Sequence, residues 1–375
     1  MKSEWNTSAI VNICKVVTDG SHTSPKSVSH GKYMVSVKDF TPYGFDFNGC
    51  RQISFADYEK LKSSGCVPQK GDILIGKDGA RYFEDIIIYN QDEAPALLSS
   101  IAILRCDEEK VIPEYLYYLL KTPSFKKDVK DNYGSGSAIP RIILKDFKRM
   151  KVEYPSIEKQ RQIVSILHDL DAKIFNNQKV NDNLEKQAQA IYCDMFITNA
   201  NPSWKIGYLS DLITVRYGKD HKKLADGVYP VYGSGGIMRY VEKPLYDKES
   251  VLIPRKGTLN NVMYVNKPFW SVDTMFFTEM KLPNVAKFVF HFVKSKDLAS
   301  LNAGSAVPSM TTDILNAMEL PIPDADTLYK FENIMASLYQ AIQQNTQESG
   351  KLAEVRDSLL PRLMSGEIDV SNLQL

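Results

Sequence analysis

Two long heptad patterns dominate this sequence and leave few folds open to it. The first runs from Ser156 to Phe196 without a Gly or a Pro. Seam residues recur in it at alternating spacings of four and three: Ile163, Leu167, Leu170, Ile174, Asn177, Asn181, Leu184, Ala188, Ile191 and Met195. That spacing is typical of a coiled-coil helix, here interrupted by two asparagines. Because one amphipathic helix of this length cannot bury its own seam, the pattern predicts a partner helix.

The predicted partner lies in the same chain, between Leu328 and Met364. Its seam residues are Phe331, Met335, Leu338, Ile342, Asn345, Ser349, Leu352, Arg356, Leu359 and Leu363. Each equals a position in the first pattern plus 168, and the same offset (308 − 140) relates the sequence GSAIP at 136–140 to GSAVP at 304–308. The chain is therefore a tandem duplication, in which each globular unit is followed by a long helix.

The duplication also predicts how the two helices pair. If they are antiparallel and related by a pseudo-twofold axis, Asn177 lies opposite Asn345. The same register places Leu170 opposite Leu352 and Leu184 opposite Leu338. A paired polar layer specifies register at some cost in stability. The sequence thus predicts an antiparallel coiled coil whose register is marked by Asn177 and Asn345.

The segments outside the helices predict two mixed α/β, strand-rich globular domains. The predicted domains are 1–155 (first globular domain), 156–199 (first long helix), 200–323 (second globular domain) and 324–375 (second long helix). Short β-type runs between polar turns, such as Lys32–Lys38 and Val228–Tyr232, are frequent in both. The predicted fold is α+β: two such domains joined by two long helices in an antiparallel coiled coil, with an internal pseudo-twofold repeat.

The composition is that of an ordinary soluble globular protein, with 43% hydrophobic and 24% charged residues. A net charge of +1 does not indicate a polyanionic partner, although a local basic cleft can exist in a neutral total. Five scattered cysteines without a C-x-x-C pair are typical of reduced thiols. No run approaches the ~18 apolar residues of a membrane span. These features predict a cytoplasmic protein without a membrane segment.

Motifs of catalytic sites are missing from the sequence. There is no G-x-x-x-x-G-K-[ST], no G-x-G-x-x-G opening a helix and no H-E-x-x-H, and the five histidines lack ligand spacing. The Asn-Pro-Pro-Tyr tetrapeptide of adenine methyltransferases is missing too. The glycine-rich YGSGG at 232–236 could cradle a phosphate, but a plain turn is the favoured interpretation. We therefore predict no catalytic residue, no metal ligand and no cofactor for this chain.

Polar loops that carry basic residues remain as the candidate binding surface. In the first unit these residues are Lys77, Arg81, Ser135, Ser137 and Arg141. In the second unit they are Ser234, Arg239, Arg255, Lys256, Thr258, Asn260 and Asn261. Arg and Lys pair with phosphate or guanine, and Asn pairs with adenine. Any one of them is more simply a solvated side chain, but their clustering at equivalent loops, IGKDG at 75–79 and IPRKG at 253–257, favours a binding surface.

With these features in place, the chain resembles the specificity subunit of a type I restriction-modification system. The resemblance rests on GDILIGKDG at 71–79, GSGSAIPRIILKDFKRMKVEYPSIEKQRQIVSIL at 134–167, NNQKVNDNLEKQAQAIY at 176–192, and VYGSGG with IPRKGT in the second unit. It covers essentially the whole chain. The second copy departs from the pattern where DADTLYK at 324–330 replaces SIEKQRQ at 156–162, so the entry to the second helix is less typical.

The resemblance implies a non-catalytic subunit that binds double-stranded DNA. Each globular unit would be a target recognition domain reading one half of a bipartite site, and the helices would be conserved spacers that dock methyltransferase (modification) subunits. Through these the chain would reach a restriction/translocase subunit, so the assembled complex would methylate adenine and cut DNA with ATP. Two alternatives stay open: a protein–protein scaffold that does not bind DNA, and an enzyme with unrecognised chemistry.

Overall fold

The computed structural model describes residues 5–134, 140–301 and 309–370 of the chain. The chain divides into two compact units, one formed by Met1–Phe175 with Glu348–Leu375 and the other by Asn176–Gln347. Each long helix therefore begins in one unit and ends in the other. Among the described residues, no helix is long and apolar enough to cross a membrane.

The first unit contains strands and short helices followed by the start of a long helix. Its strands are β1 (Asn6–Ala9), β2 (Cys14–Asp19), β3 (Lys32–Val35), β4 (Phe40–Thr41), β5 (Gly44–Phe45), β6 (Gln52–Ile53), β7 (Ile73–Gly76), β8 (Ile86–Ile88), β9 (Ala96–Leu97), β10 (Ile101–Cys106) and β11 (Lys151–Tyr154). Its helices are α1 (Ile10–Ile13), α2 (Phe55–Ser63), α3 (Pro113–Lys121), α4 (Pro123–Asn132), α5 (Leu144–Arg149) and the long α6 (Ile157–Cys193).

A four-stranded antiparallel sheet in the order β2-β10-β7-β8 organises the first unit. All four residues of β7 are buried, as expected for an apolar strand covered on both faces. A separate ribbon pairs β1 with β11 and so ties the start of the unit to the segment before α6. In a third sheet β3 lies between β6 and β9, and it runs parallel to β9.

The second unit contains the end of α6 and a second set of elements. Its strands are β12 (Lys205–Tyr208), β13 (Ile213–Tyr217), β14 (Asp226–Gly233), β15 (Gly236–Val241), β16 (Ser250–Pro254), β17 (Met263–Val265), β18 (Trp270–Ser271), β19 (Met275–Met280) and β20 (Glu319–Ile322). Its helices are α7 (Leu209–Leu212), α8 (Ala286–Lys294), α9 (Thr312–Asn316) and the start of the long α10 (Ala325–Met364).

The strand order of the second unit repeats that of the first. Its antiparallel sheet has the order β13-β19-β16-β17, and a ribbon pairs β12 with β20. In a three-stranded sheet β14 lies between β15 and β18 and is parallel to β18, as β3 is to β9. The prediction of an α+β chain with an internal repeat is confirmed.

The two long helices run antiparallel within each unit. In the first unit, Nη1 of Arg356 on α10 donates to Oδ1 of Asp171 on α6 at 2.7 Å. In the second unit, Nδ2 of Asn177 donates to the carbonyl oxygen of Asn345 at 3.4 Å, and Nδ2 of Asn345 donates to Oδ1 of Asn181 at 2.9 Å. Nδ2 of Asn181 also donates to the carbonyl oxygen of Ile342 at 3.5 Å, and in the first unit Nζ of Lys173 lies 3.6 Å from Oε2 of Glu348. In each unit the residue numbers therefore fall along α10 as they rise along α6.

The ends of the long helices are part of the globular cores. In the first unit, Leu167 of α6 and Leu363 of α10 are buried in the cluster that also holds residues of the sheet and α3. In the second unit, Tyr192 of α6 and Phe331 of α10 are buried in the corresponding cluster. Burying such apolar side chains stabilises each unit by about 1.5–3 kcal/mol per fully buried residue. Each globular part therefore packs against both long helices.

Candidate nucleic-acid interface

In the second unit, the loop after β16 brings several of the predicted residues together. This loop, 255–262, turns at Gly257, whose φ of 83° is a conformation that favours glycine. Nδ2 of Asn261 donates to the carbonyl oxygen of Ser234 at 2.8 Å. A Cβ at position 257 would lie only 2.7 Å from Oγ of Ser234. The glycine-rich sequence at 232–236 thus forms the turn of the β14–β15 hairpin, and that turn packs on the loop.

Arg255 and Lys256 stand at the start of this loop with different surroundings. The guanidinium of Arg255 lies 5.3 Å from the ring centroid of Tyr217, and Nη1 donates to the carbonyl oxygen of Asp273 at 3.2 Å. The cation–π contact and the hydrogen bond restrain the guanidinium, and Arg255 remains partly exposed. Lys256 and Thr258 are exposed. The loop therefore carries a restrained guanidinium together with an exposed ammonium and an exposed hydroxyl.

Two other predicted residues are used inside the unit. Nδ2 of Asn260 donates to Oδ1 of Asp297 at 3.0 Å, and this bond lowers the pKa of the Asp297 carboxyl. Nη2 of Arg239 donates to the carbonyl oxygen of Leu224 and to Oδ1 of Asp226, each at 2.9 Å. These side chains hold neighbouring loops in place.

A lysine-rich loop beside Arg255 is not identified by the sequence reasoning. Lys219, Lys222 and Lys223 are exposed on the segment between β13 and β14, directly after Tyr217. Nε1 of Trp270 donates to the carbonyl oxygen of Lys219 at 2.8 Å and anchors the segment. Such a cluster is the electrostatic footprint expected for phosphate contacts. The sequence signal is GKDHKK at 218–223, which the charge of the whole chain conceals.

In the first unit, the equivalent loop is built on a buried ion pair. Lys77, the first residue after β7, is 7% exposed, and its Nζ lies 3.2 Å from Oδ2 of Asp19. Strand register makes Asp19 the equivalent of Tyr217, and Lys77 follows β7 as Arg255 follows β16. The predicted base or phosphate contact at Lys77 is thus placed inside the unit, where the side chain supports the loop.

Arg81 is the exposed basic residue of that loop. Its Nη2 donates to Oδ1 of Asp85 at 2.7 Å and its Nε donates to Oδ2 at 3.3 Å. These bonds raise the pKa of Arg81. Arg81 and Asp85 line a concavity of about 540 Å³ together with Asp78 and the exposed Lys38. Lys38 falls in a predicted strand, but the strand ends at Val35 and Lys38 lies in the following 3-10 turn.

The segment after the GSA(I/V)P repeat meets the candidate loop in both units. The backbone of Arg141, an exposed residue, forms a β-bridge with Asp78, and in the second unit Ser309 forms the matching bridge with Lys256. The amide of Gly79 donates to the carbonyl oxygen of Pro140 at 2.9 Å. Ser135 and Ser137 lie outside the described residues. The repeat therefore places equivalent segments at equivalent loops.

The family described as "Type I restriction modification DNA specificity domain" matches residues 2–186 and 201–355, one match for each repeat. The chain belongs to this family. The predicted family membership and the predicted role in DNA sequence specificity are confirmed. The family description places the chain in a type I restriction-modification system, with a role in DNA specificity.

Named relatives agree with this assignment. The MjaIX specificity subunit of Methanocaldococcus jannaschii is 24% identical over 310 residues, which is 71% of each chain. The HindI specificity subunit of Haemophilus influenzae is 21% identical over 413 residues, covering 80% of this chain and 87% of the relative. The crystal structure of a type I S subunit from M. genitalium matches with a TM-score of 0.57 at 17% identity and 96% coverage of both chains, which shows that the fold is shared.

Proposed function

We propose that this chain is the specificity subunit that gives a type I restriction-modification complex its target. Residues 1–155 and 200–323 act as two target recognition domains, and each reads one half of a bipartite site in double-stranded DNA. The helices of 156–199 and 324–375 are the spacers between them. The observation that supports this most is the repeated strand frame, which carries the same loop after β7 and after β16 with different side chains. One chain thereby offers two non-identical readers.

The reader of the second unit is centred on the 255–262 loop. Arg255, Lys256 and Thr258 contact base edges and phosphates directly, while Ser234 and Asn261 join the hairpin turn to the loop. Asn260 and Arg239 position the surrounding segments. An ordered Arg with a neighbouring hydroxyl and amide suits base readout, whereas exposed lysines suit the phosphate backbone.

The reader of the first unit uses Arg81 and Arg141 at the surface of the loop, with Ser135 and Ser137 in the adjoining segment. Lys77 supports this loop from inside the unit, through its ion pair with Asp19. The concavity lined by Arg81 and Lys38 is the place where a base edge would enter. The arginine proposed to contact DNA thus lies at different positions of the equivalent loops, Arg81 in the first unit and Arg255 in the second.

The long helices dock the methyltransferase subunits, and through them the restriction/translocase subunit. The described faces of α6 and α10 carry apolar side chains that are 44–58% exposed: Val180, Val355, Ile334 and Tyr329. Apolar side chains exposed on helix faces suit a protein partner better than DNA. Those partner subunits supply adenine methylation with S-adenosylmethionine, and ATP-driven translocation and cleavage.

The decisive experiment is co-expression with the neighbouring methyltransferase subunit, followed by sequencing that maps methylated adenines. We expect methylation only when both proteins are present, at one bipartite sequence. The purified chain alone should neither methylate nor cut DNA with S-adenosylmethionine, ATP and Mg²⁺. A protein that shows no salt-dependent DNA binding, alone or in the complex, would be a protein–protein scaffold instead.

A further inference from the structure

The loop that carries Arg81 is held rigidly by the core of the first unit. Phe83, two residues further on, is fully buried, with its ring centroid 6.1 Å from those of Phe125 and Phe147. Its φ of 62° is a conformation that non-glycine residues adopt only when the surroundings enforce it. The amide of Phe83 donates to the carbonyl oxygen of Gly76 at 2.7 Å. Arg81 is therefore displayed from a fixed backbone, although its side chain is 75% exposed.

The Asp85 carboxylate also fixes which edge of the guanidinium is left for a ligand. Nε and Nη2 of Arg81 both donate to Asp85, one to each carboxylate oxygen. This pairing occupies the side of the guanidinium that includes Nε. Two parallel N–H groups then remain on the opposite end, one on Nη1 and one on Nη2, in the geometry of a bidentate fork. Fixing the fork before binding lowers the entropy cost of using it.

The charges around this fork favour a base over a phosphate. Asp85 balances the charge of Arg81, and Asp78 lies 3.9 Å from Nζ of Lys77, so these pairs leave little net positive charge for a phosphate beside the fork. A guanine edge offers the acceptors O6 and N7 without a net charge, and it is the usual partner of a bidentate arginine. Lys38, exposed on the wall of the concavity, can contact the phosphate backbone of the DNA instead.

We propose that Arg81 reads a guanine in the half-site of the first unit, through Nη1 and Nη2 to guanine O6 and N7. Asp85 is the positioning residue that sets the orientation of the fork. This inference rests on the proposed function of the chain as a DNA specificity subunit. The inference assigns one base type to one unit, whereas the description of the family names only DNA specificity.

The test uses the full chain assembled with its methyltransferase subunit, on a DNA library randomised at both half-sites. Arg81→Lys keeps the charge but removes the fork. We expect it to lower discrimination for guanine at one position of the first half-site by roughly 10-fold or more, with the second half-site unchanged. Asp85→Asn should reduce the same preference less, without moving it to another position. Arg149→Lys is the matched control, because Arg149 is an exposed arginine of the same unit, outside both long helices, with a carboxylate partner, Asp146.

The outcomes separate this inference from the proposed function. If Arg81→Lys and Arg81→Ala leave the first half-site profile unchanged while wild type methylates a bipartite site, Arg81 is not a reader and the function stands. If Arg81→Lys matches wild type and Arg81→Ala weakens all sequences equally, Arg81 is a phosphate contact and the inference is wrong. If wild type shows no bipartite specificity, the function itself fails. Thermal unfolding of each variant, expected to match wild type because Arg81 is exposed, checks the fold.

Discussion

The residue that follows strand β7 in the first unit is a buried lysine, whereas the residue that follows the equivalent strand β16 in the second unit is a partly exposed arginine. In the first unit Lys77 is closed into the protein by Asp19, at 3.2 Å. In the second unit Arg255 lies over Tyr217, which occupies the place of Asp19. The residue after the strand and the residue that faces it thus both differ between the units, and the basic side chain is buried in one unit and partly exposed in the other. The difference teaches that equivalent loop positions in the two readers need not contact equivalent groups of DNA.

The largest expected effect comes from breaking the internal ion pair of the first unit. Lys77→Ala leaves Asp19, which is 7% exposed, without its ammonium partner. Removing one partner of a buried pair costs about 3–5 kcal/mol. Because His22 remains 3.3 Å from Asp19, we expect a loss of stability at the lower end of this range. Chemical denaturation of the full chain measures the loss. Arg255→Ala, at the equivalent position, should cost less than about 1 kcal/mol. Equal losses for the two variants would contradict the comparison.

The two units also differ in the hydrogen bonds that join a short helix, α3 or α8, to the long helices. In the first unit Tyr118 of α3 donates to Oδ2 of Asp171 on α6 at 2.7 Å. In the second unit His291 of α8 occupies this place, with its Nε2 3.0 Å from Oη of Tyr339 and its Nδ1 2.8 Å from Oε1 of Gln189. Burial, and then the charge of Lys294, lower the pKa of His291 to about 4. The contact between α8 and the long helices therefore contains a group, the His291 imidazole, that titrates in mild acid.

This difference predicts acid sensitivity in the second unit. Because the folded pKa of His291 lies below its ordinary value of 6.5, the neutral imidazole stabilises the fold. That contribution is present above pH 6.5 and is lost as the pH falls towards 4, for a total of about 3 kcal/mol. Denaturation of wild type and His291→Gln across this range is the measurement. The variant should lose much of the pH slope, while Tyr118→Phe should keep it, because burial raises the pKa of Tyr118 and leaves it neutral. An unchanged slope in His291→Gln would refute the assignment.

The fold was predictable because the sequence repeats itself, and the details of the site were not. The offset between GSAIP at 136–140 and GSAVP at 304–308 indicated the duplication, and the segments after both copies lie at equivalent loops. Burial of Lys77 depends on Asp19, which only the strand register brings near. The Arg81–Asp85 spacing is visible in the sequence, but outside a helix it predicts no contact. Tertiary pairing, rather than local pattern, decides which loop charges remain at the surface.

The comparison of the readers is sharpened by Arg255→Ala in the assembled methyltransferase. Losing a bidentate base contact costs roughly 1–3 kcal/mol and relaxes one position of the site. We therefore expect weaker discrimination at the half-site read by residues 200–323, with the half-site read by residues 1–155 unchanged. A methylation profile over a library randomised at both halves is the measurement. If both halves degrade together, the two units are not independent readers; if neither changes, Arg255 is a surface charge.

The smallest expected effect concerns the lysine-rich loop of the second unit. Lys222 and Lys223 are exposed after β13, whereas the equivalent segment of the first unit, between β2 and β3, carries one lysine, Lys26. A phosphate contact adds affinity to all sequences alike, so Lys222→Ala and Lys223→Ala should each lower the salt dependence of DNA binding by about one unit of slope. Sequence preference at both half-sites should stay the same, and Lys26→Ala should change the slope less. Binding of the assembled complex to its target duplex is titrated at several salt concentrations. A change in base preference, with the slope unaltered, would place these lysines at base edges and reverse the contrast with Arg255.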